Sequence, residues 1–196
     1  MSIHALHSKA TIKGHPIHPM LVGFPIALYT TGVVSLIMYA VQRDLFWYRG
    51  SMLLLFAGVG IALLAAIFGL VDLFLGVPSH ERETRSTGII HMSLNIATTV
   101  LFAGAAFSLY AQWRKVDASE LAFGLPLVVG IVGLALMTAA GFFGWKLVQT
   151  HHVGIEDSAE GTSRGADPHP AIDARSAFAP RSSQPLSQPF GQPTGR

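Results

Sequence analysis

The side chains that could do chemistry in this chain are mostly histidines, and they stand beside or just inside long apolar segments. A neutral imidazole binds haem iron and transition-metal ions, and a carboxylate can orient such an imidazole by accepting its second N–H. An amide can hydrogen-bond the same ring. The candidate cofactor-binding residues are His15, His18, Asp72, His91, Asn95, His151 and His152.

The composition indicates a membrane protein. Of 196 residues, 51% are hydrophobic and only 12% are charged, whereas charged residues usually make up about a quarter of a soluble domain. There is no cysteine, which excludes disulfides, thiolate metal sites, cysteine-bound iron–sulfur clusters and covalent c-type haem. The formal charge of +2 and the lack of a basic run argue against a nucleic-acid partner.

Four apolar segments are long enough to cross a bilayer, which takes about 20 helical residues. Because short polar connections join them, neighbouring segments should run in opposite directions. The sequence therefore predicts an all-α fold, a four-helix transmembrane bundle with up-down-up-down topology. The predicted spans are 19–41, 51–75, 88–110 and 124–148.

The chain divides into three parts by composition. Residues 1–18 form an N-terminal lead-in rich in His and Pro, and residues 19–152 form the four-helix transmembrane domain. Residues 153–196 are rich in Pro, Ser and Gln. Such a segment buries too little apolar surface to offset its ordering entropy, so we predict a disordered tail.

The alternating topology brings the candidate side chains to one membrane face. His15 and His18 precede the first span, Asp72 lies near the end of the second, His91 near the start of the third, and His151 after the fourth. Metal- or haem-binding side chains that gather at one end of an apolar bundle indicate a functional site.

Two His-Pro pairs form the most distinctive string. Pro16 and Pro19 each favour an extended conformation for the histidine before them, and Pro19 suits the first turn of a helix. We therefore expect His15 and His18 on a stiff extended strand beside the bundle mouth. The alternative is a rigid lead-in whose rings lie in the headgroup region without binding anything.

The remaining candidates allow both a ligand role and a structural role. His91 and Asn95 share a helix face, and Asp72 is expected close enough to accept a hydrogen bond from a ligating His91. The structural alternative is a plain Asp72–His91 hydrogen bond between two helices. His151 and His152 are either ligands or caps on the last carbonyls of the fourth helix.

Orientation follows from the basic residues near the membrane. The histidine side carries five and the other side four, which slightly favours both termini in the cytoplasm. The two sets are Lys9, Lys13, Arg82, Arg85 and Lys146 against Arg43, Arg49, Arg114 and Lys115.

The strings GHPIHPMLVGFPIAL and LVQTHHVG, with the His91-containing start of the third span, resemble the bacterial membrane family called domain of unknown function 2231. The resemblance covers residues 14–154 and implies a multi-pass protein of the bacterial inner membrane. Some members of that family carry Rieske or cytochrome c domains in the same chain, which implies redox surroundings and favours haem.

Three functions remain open. The leading hypothesis is a haem b or transition-metal site in electron transfer, and the set considered for a metal ion is His18, Asp72, His91 and His151. The alternatives are a small transporter or proton relay through Asp72 and His91, and a structural or assembly subunit without cofactor. An enzyme is the least favoured class, because no nucleophile–base pair, phosphate loop or dinucleotide fingerprint is present. The expected partners are the lipid bilayer and either a redox partner or a second copy of the chain.

Overall fold

The computed structural model describes residues 8–13, 15–115, 121–151 and 153. The bounds of the helices are Ile17–Gln42 (α1), Leu45–Val71 (α2), Arg82–Lys115 (α3) and Gly124–Gln149 (α4). A π-helical turn, Asp72–Gly76, continues α2. Before α1, the two-residue strands Thr11–Ile12 (β1) and His15–Pro16 (β2) pair antiparallel. His152 and the predicted tail beyond Val153 lie outside the described residues.

All four helices are long and apolar enough to cross a membrane. The predicted four-helix transmembrane bundle is therefore confirmed, and the chain is an integral membrane protein. The helices extend past the predicted spans, most clearly in α3, which begins at Arg82 rather than near residue 88. Hydropathy marks the thickness of the hydrocarbon, whereas the polar residues flanking it are themselves good helix formers and continue the helix into the headgroup region.

The bundle consists of two tight antiparallel hairpins. We call α1 with α2 the first hairpin and α3 with α4 the second hairpin. Packing within each hairpin is far more extensive than packing between them, where α2 meets α3 over a smaller surface and α1 meets α4 over a smaller one still. Connections of two and eight residues, 43–44 and 116–123, close the hairpins, as expected for antiparallel neighbours.

The buried core fills the middle of the bundle and the end away from the histidines. Two buried tyrosines there donate their hydroxyls to helix or loop carbonyls, Tyr48 to Leu109 at 3.0 Å and Tyr39 to Leu121 at 3.4 Å. This satisfies polar groups that lipid could not hydrogen-bond. The core residues are Tyr29, Val33, Leu36, Tyr39, Tyr48, Leu55, Phe102, Ala105, Ala106, Leu109 and Leu121.

Candidate functional site

His18 lies in the first turn of α1, not on an extended strand as the sequence suggested. The helix begins at Ile17 with Pro16 as its N-cap, so Pro19 falls within the first turn. Proline there sacrifices no hydrogen bond, because the first N–H groups of a helix have no intrahelical acceptor. The extended preference before proline is a bias of the backbone, and the docking of the His18 ring on α2 outweighs it.

The second helix of the first hairpin holds the His18 ring. Nδ1–H of His18 donates to the backbone carbonyl of Ala65 at 2.8 Å. One turn further along α2, Gly69 lies against the same ring, and a Cβ at that position would stand 2.9 Å from its Cε1 and Nδ1 atoms. The ring therefore occupies a place that only a residue without a side chain leaves free.

The second hairpin holds His91 in the same way. Its Nδ1–H donates to the carbonyl of Ala140 on α4 at 2.8 Å. A Cβ on Gly144 would stand 2.9 Å from Cε1 of this ring. His91 is the tenth residue of α3, deeper in the helix than the sequence suggested, because α3 begins six residues earlier than its predicted span.

The two rings meet between the hairpins. Their centroids are 6.3 Å apart and their planes are perpendicular, at 89°. Since a carbonyl only accepts, each ring carries its proton on Nδ1, and each Nε2 keeps a lone pair for a ligand. The side-chain nitrogen of Asn95 lies 3.2 Å from Nε2 of His91 and donates to the His91 carbonyl at 2.9 Å. Asn95 is thus placed to donate a hydrogen bond to Nε2 of His91 when no ligand is bound there.

Asp72 contacts the N-terminal segment and not His91. Its Oδ1 accepts from the hydroxyl of Ser8 at 2.8 Å, the backbone N–H of Lys9 at 2.9 Å and the backbone N–H of Ala10 at 3.0 Å. A carboxylate at the C-terminal end of a helix faces unfavourable carbonyl dipoles, and three donors offset that repulsion. The His91 ring instead donates to the carbonyl of Ala140 and lies within hydrogen-bond distance of the Asn95 amide nitrogen.

The other candidate histidines stand apart from the pair. His151 contacts two threonine hydroxyls at the start of α3, that of Thr84 at 3.1 Å through Nδ1 and that of Thr87 at 3.5 Å through Nε2. Both of its nitrogens are thereby engaged. His15 is exposed, and its Nδ1–H donates to the carbonyl of Lys13 at 3.1 Å.

The four residues considered for a metal ion do not converge in this structure. Within the described ranges, no group of three or more His, Asp or Glu side chains is arranged to hold a metal ion. What the fold brings together is the pair His18 and His91, with Asn95 beside one ring.

The residues that orient the two rings were not identified from the sequence. They are Ala65 and Gly69 on α2, and Ala140 and Gly144 on α4. A signal for them exists, because the strings AAIFG at 65–69 and AGFFG at 140–144 share Ala, Phe and Gly at the same spacing. Without the histidines docked on them, these strings look like ordinary small-residue packing motifs of membrane helices.

The chain belongs to the family described as predicted membrane protein (DUF2231), whose model matches residues 14–157. The match begins just before the His-Pro pairs and includes all four helices and both rings. Comparisons with curated proteins and with solved structures found no match.

Proposed function

We propose that this membrane protein binds haem b between His18 and His91 and passes single electrons at one membrane face. The observation that carries the proposal is the pair of rings from opposite hairpins, each donating its Nδ1–H to a backbone carbonyl and each keeping its Nε2 lone pair for a ligand, which at His91 would displace Asn95. An acceptor on the far nitrogen is the usual means by which proteins orient an imidazole ligand and raise its basicity.

The separation of the rings suits two ligands of one metal. With metal–imidazole bonds of about 2.0–2.1 Å, and about 1.1 Å from each nitrogen to its ring centre, two imidazoles sharing one metal would have ring centres up to about 6.3 Å apart. The observed centroid distance is 6.3 Å. When both Nε2 atoms turn to a shared metal, the rings need little translation.

Haem is favoured over a bare ion because the described residues supply two ligands. A structural zinc site takes four protein ligands and a catalytic one takes three, and no such group is present among the described residues. Haem would need only two ligands from the protein, and His18 and His91 would supply them. With no cysteine in the chain, the haem would be held without thioether bonds.

The way the hairpins pack also supports a flat ligand. His18 belongs to the first hairpin and His91 to the second, and the contact between hairpins is much weaker than the contact inside each. A planar group held by the two rings would therefore lie where helix contacts are fewest and would leave each hairpin intact. The site lies near the N-terminal ends of α1 and α3, which stand at the same membrane face. A partner in the adjoining aqueous phase can therefore reach it.

The cellular setting belongs to the same proposal. We place the protein in the bacterial inner membrane with both termini, and therefore the site, on the cytoplasmic side. Haem held by His18 and His91 would supply one-electron chemistry at this face, taking an electron from a redox partner and returning it to one. That partner is either a redox protein docking on this face or a second copy of the chain.

The decisive experiment compares haem content among single-histidine variants. The parent is purified after expression with haem supply, and its visible spectrum is recorded oxidised and reduced. We expect a Soret band, sharpened α and β bands on reduction, and one haem per chain. His18→Ala and His91→Ala should each abolish binding, because a ring fixed on a helix has no substitute nearby.

His15→Ala is the matched control. His15 belongs to the same His-Pro lead-in, but its ring is exposed and donates to the carbonyl of Lys13, so its loss should leave haem content unchanged. A parent that takes up no haem, or equal haem in all four proteins, would refute the proposal. A colourless parent with one metal ion per chain by elemental analysis would replace haem with that ion.

A proton relay is the second candidate, and two buried hydroxyls favour it. Thr98, two turns below His91 on α3, and Ser51 on α2 are almost fully buried, and neither hydroxyl has a hydrogen-bond partner among the described residues. Polar atoms of this kind can hold water in a membrane interior. Proton flux into liposomes that His91→Gln abolishes would support this function, and flux equal to that of empty liposomes would exclude it.

A further inference from the structure

Two rings of each hairpin lie on glycines of the other helix in the same hairpin. In the first hairpin, His18 lies on Gly69 and Tyr29 lies on Gly58. Eleven residues separate the two rings along α1, and eleven separate the two glycines along α2. Because eleven residues make about three helical turns, both rings leave one face of α1 and meet one face of α2.

The second hairpin repeats this arrangement. His91 lies on Gly144, and Phe102 lies on Gly133, where a Cβ would stand 2.9 Å from the ring. The two spacings are again eleven residues. His91 and Phe102 follow their counterparts in α1 by 73 residues, and both glycines follow theirs in α2 by 75.

The carbonyl acceptors obey the same register. Ala140 accepts from His91, and Ala65 accepts from His18, in both cases at 2.8 Å. Each alanine lies four residues before the glycine that contacts the same ring. The two alanines, like the glycines, are 75 residues apart. The two hairpins therefore match at five positions, spread over both of their helices, and in one hydrogen bond.

The matched rings also face one another across the bundle. Tyr29 and Phe102 stack at 4.0 Å between centroids with their planes 12° apart, and His18 and His91 meet at 6.3 Å. Equivalent groups of two repeats meet in this way when an approximate two-fold axis runs between them. Because α1 and α3 run in the same direction, that axis lies along the membrane normal.

We infer that the two hairpins are structural repeats in which Gly69 and Gly144 are equivalent positioning residues. Gly69 lets His18 reach the carbonyl of Ala65, and Gly144 lets His91 reach that of Ala140. A ligand between the rings would then receive the same Nε2 atom from both sides. This rests on the proposed function for the ligand, but the seating of the rings is independent of it. A ligand with two equivalent faces, such as a flat macrocycle with a central metal, matches this arrangement. Three or four unequal ligands converging on one ion do not.

The physical role of each glycine is to leave room for a ring. A methyl at 2.9 Å from Cε1 is closer than carbon atoms approach one another, so the ring must move away and its Nδ1–H must leave the carbonyl. The effect should stay within one hairpin, since the three atoms nearest an added Cβ all belong to His18 at Gly69 and all belong to His91 at Gly144. Both substitutions should therefore act alike, each on its own histidine.

The test uses the full chain with four glycine-to-alanine variants. Gly69→Ala and Gly144→Ala add a methyl under a ring. Gly60→Ala and Gly141→Ala, on the same two helices, are the matched controls because nothing lies within 4 Å of an added Cβ at either position. All four gain the same helix propensity, so differences between them report the contact with the ring.

The first readout is the tautomer of each ring, measured by 15N NMR on histidine-labelled protein in micelles without ligand. The parent should show His18 and His91 both protonated on Nδ1, each assigned by its own His→Gln variant. Gly69→Ala should shift only the His18 resonances, Gly144→Ala only those of His91, and the controls neither. A parent with either ring protonated on Nε2, or controls that shift as much as the test variants, would overturn the inference even if a test variant failed to fold.

The second readout is haem binding. Changes to groups that orient a ligating histidine typically weaken binding by about 10- to 100-fold, and we expect losses in this range that are similar for Gly69→Ala and Gly144→Ala. A loss in only one of them would contradict the equivalence of the repeats. If the parent binds no haem while both tautomers are as expected, the proposed function fails and the positioning role stands.

Discussion

The docking of the N-terminal segment on Asp72 can be tested quantitatively. Asp72→Ala removes the acceptor of three hydrogen bonds, from the Ser8 hydroxyl and the N–H groups of Lys9 and Ala10. Ala10 in turn accepts from the N–H of Ile17 at 2.9 Å, which ties the segment to the first residue of α1. The carboxylate therefore secures the stretch that leads directly into His18.

The expected magnitude follows from the number and exposure of these hydrogen bonds. Hydrogen bonds to charged groups contribute about 1.5–3 kcal/mol each when well buried, but this site is partly exposed, so we use about 1 kcal/mol for each. Loss of all three weakens docking by about 3 kcal/mol, or about 100-fold in its equilibrium constant. Asp72→Asn keeps an acceptor oxygen without the charge and should lose about tenfold.

Hydrogen–deuterium exchange of the peptide that covers residues 8–17 measures this docking. Its amide protection should fall by about 100-fold in Asp72→Ala and about tenfold in Asp72→Asn, since exchange follows the open population. Asp44→Ala is the control, because Asp44 caps α2 at the opposite membrane face by accepting from the N–H of Phe46 at 2.9 Å. Unchanged protection in Asp72→Ala, or an equal fall in Asp44→Ala, would show that Asp72 does not anchor the segment.

Three further outcomes test the bundle. Leu36 is 1% exposed, so Leu36→Ala should lower the free energy of unfolding in micelles by about 2–5 kcal/mol. Ile37 lies at a lipid-facing position and is 42% exposed, so Ile37→Ala should lower it much less. Equal losses would contradict the packing. Tyr48→Phe removes a 3.0 Å hydrogen bond to a helix carbonyl and should cost about 0.5–1.5 kcal/mol in the same assay, and no loss would mean that this bond is not formed. Because the chain has no cysteine, Lys13→Cys and Asp44→Cys can each be labelled alone with an impermeant reagent, and we expect them to react from opposite sides of the membrane; labelling from one side would refute the topology.

The sequence alone determined the membrane fold and the end of the bundle where the polar groups lie. A run of about 20 apolar residues has essentially one stable conformation in lipid, because a helix satisfies every backbone polar group within itself. Four such runs with short connections then fix the alternation of directions. The membrane face near which His18, Asp72 and His91 lie follows from counting spans.

Only the tertiary structure decided which of those polar groups meet. Rotation of each helix about its axis and its depth relative to its neighbours depend on contacts between side chains and backbone, and apolar segments with no polar face do not encode them locally. Thus Asp72 was expected beside His91 but accepts from Ser8 to Ala10. His91 instead bonds to the carbonyl of Ala140, a group that every residue carries. A backbone acceptor leaves no trace in residue type, so the seating of both rings became visible only when the helices were packed together.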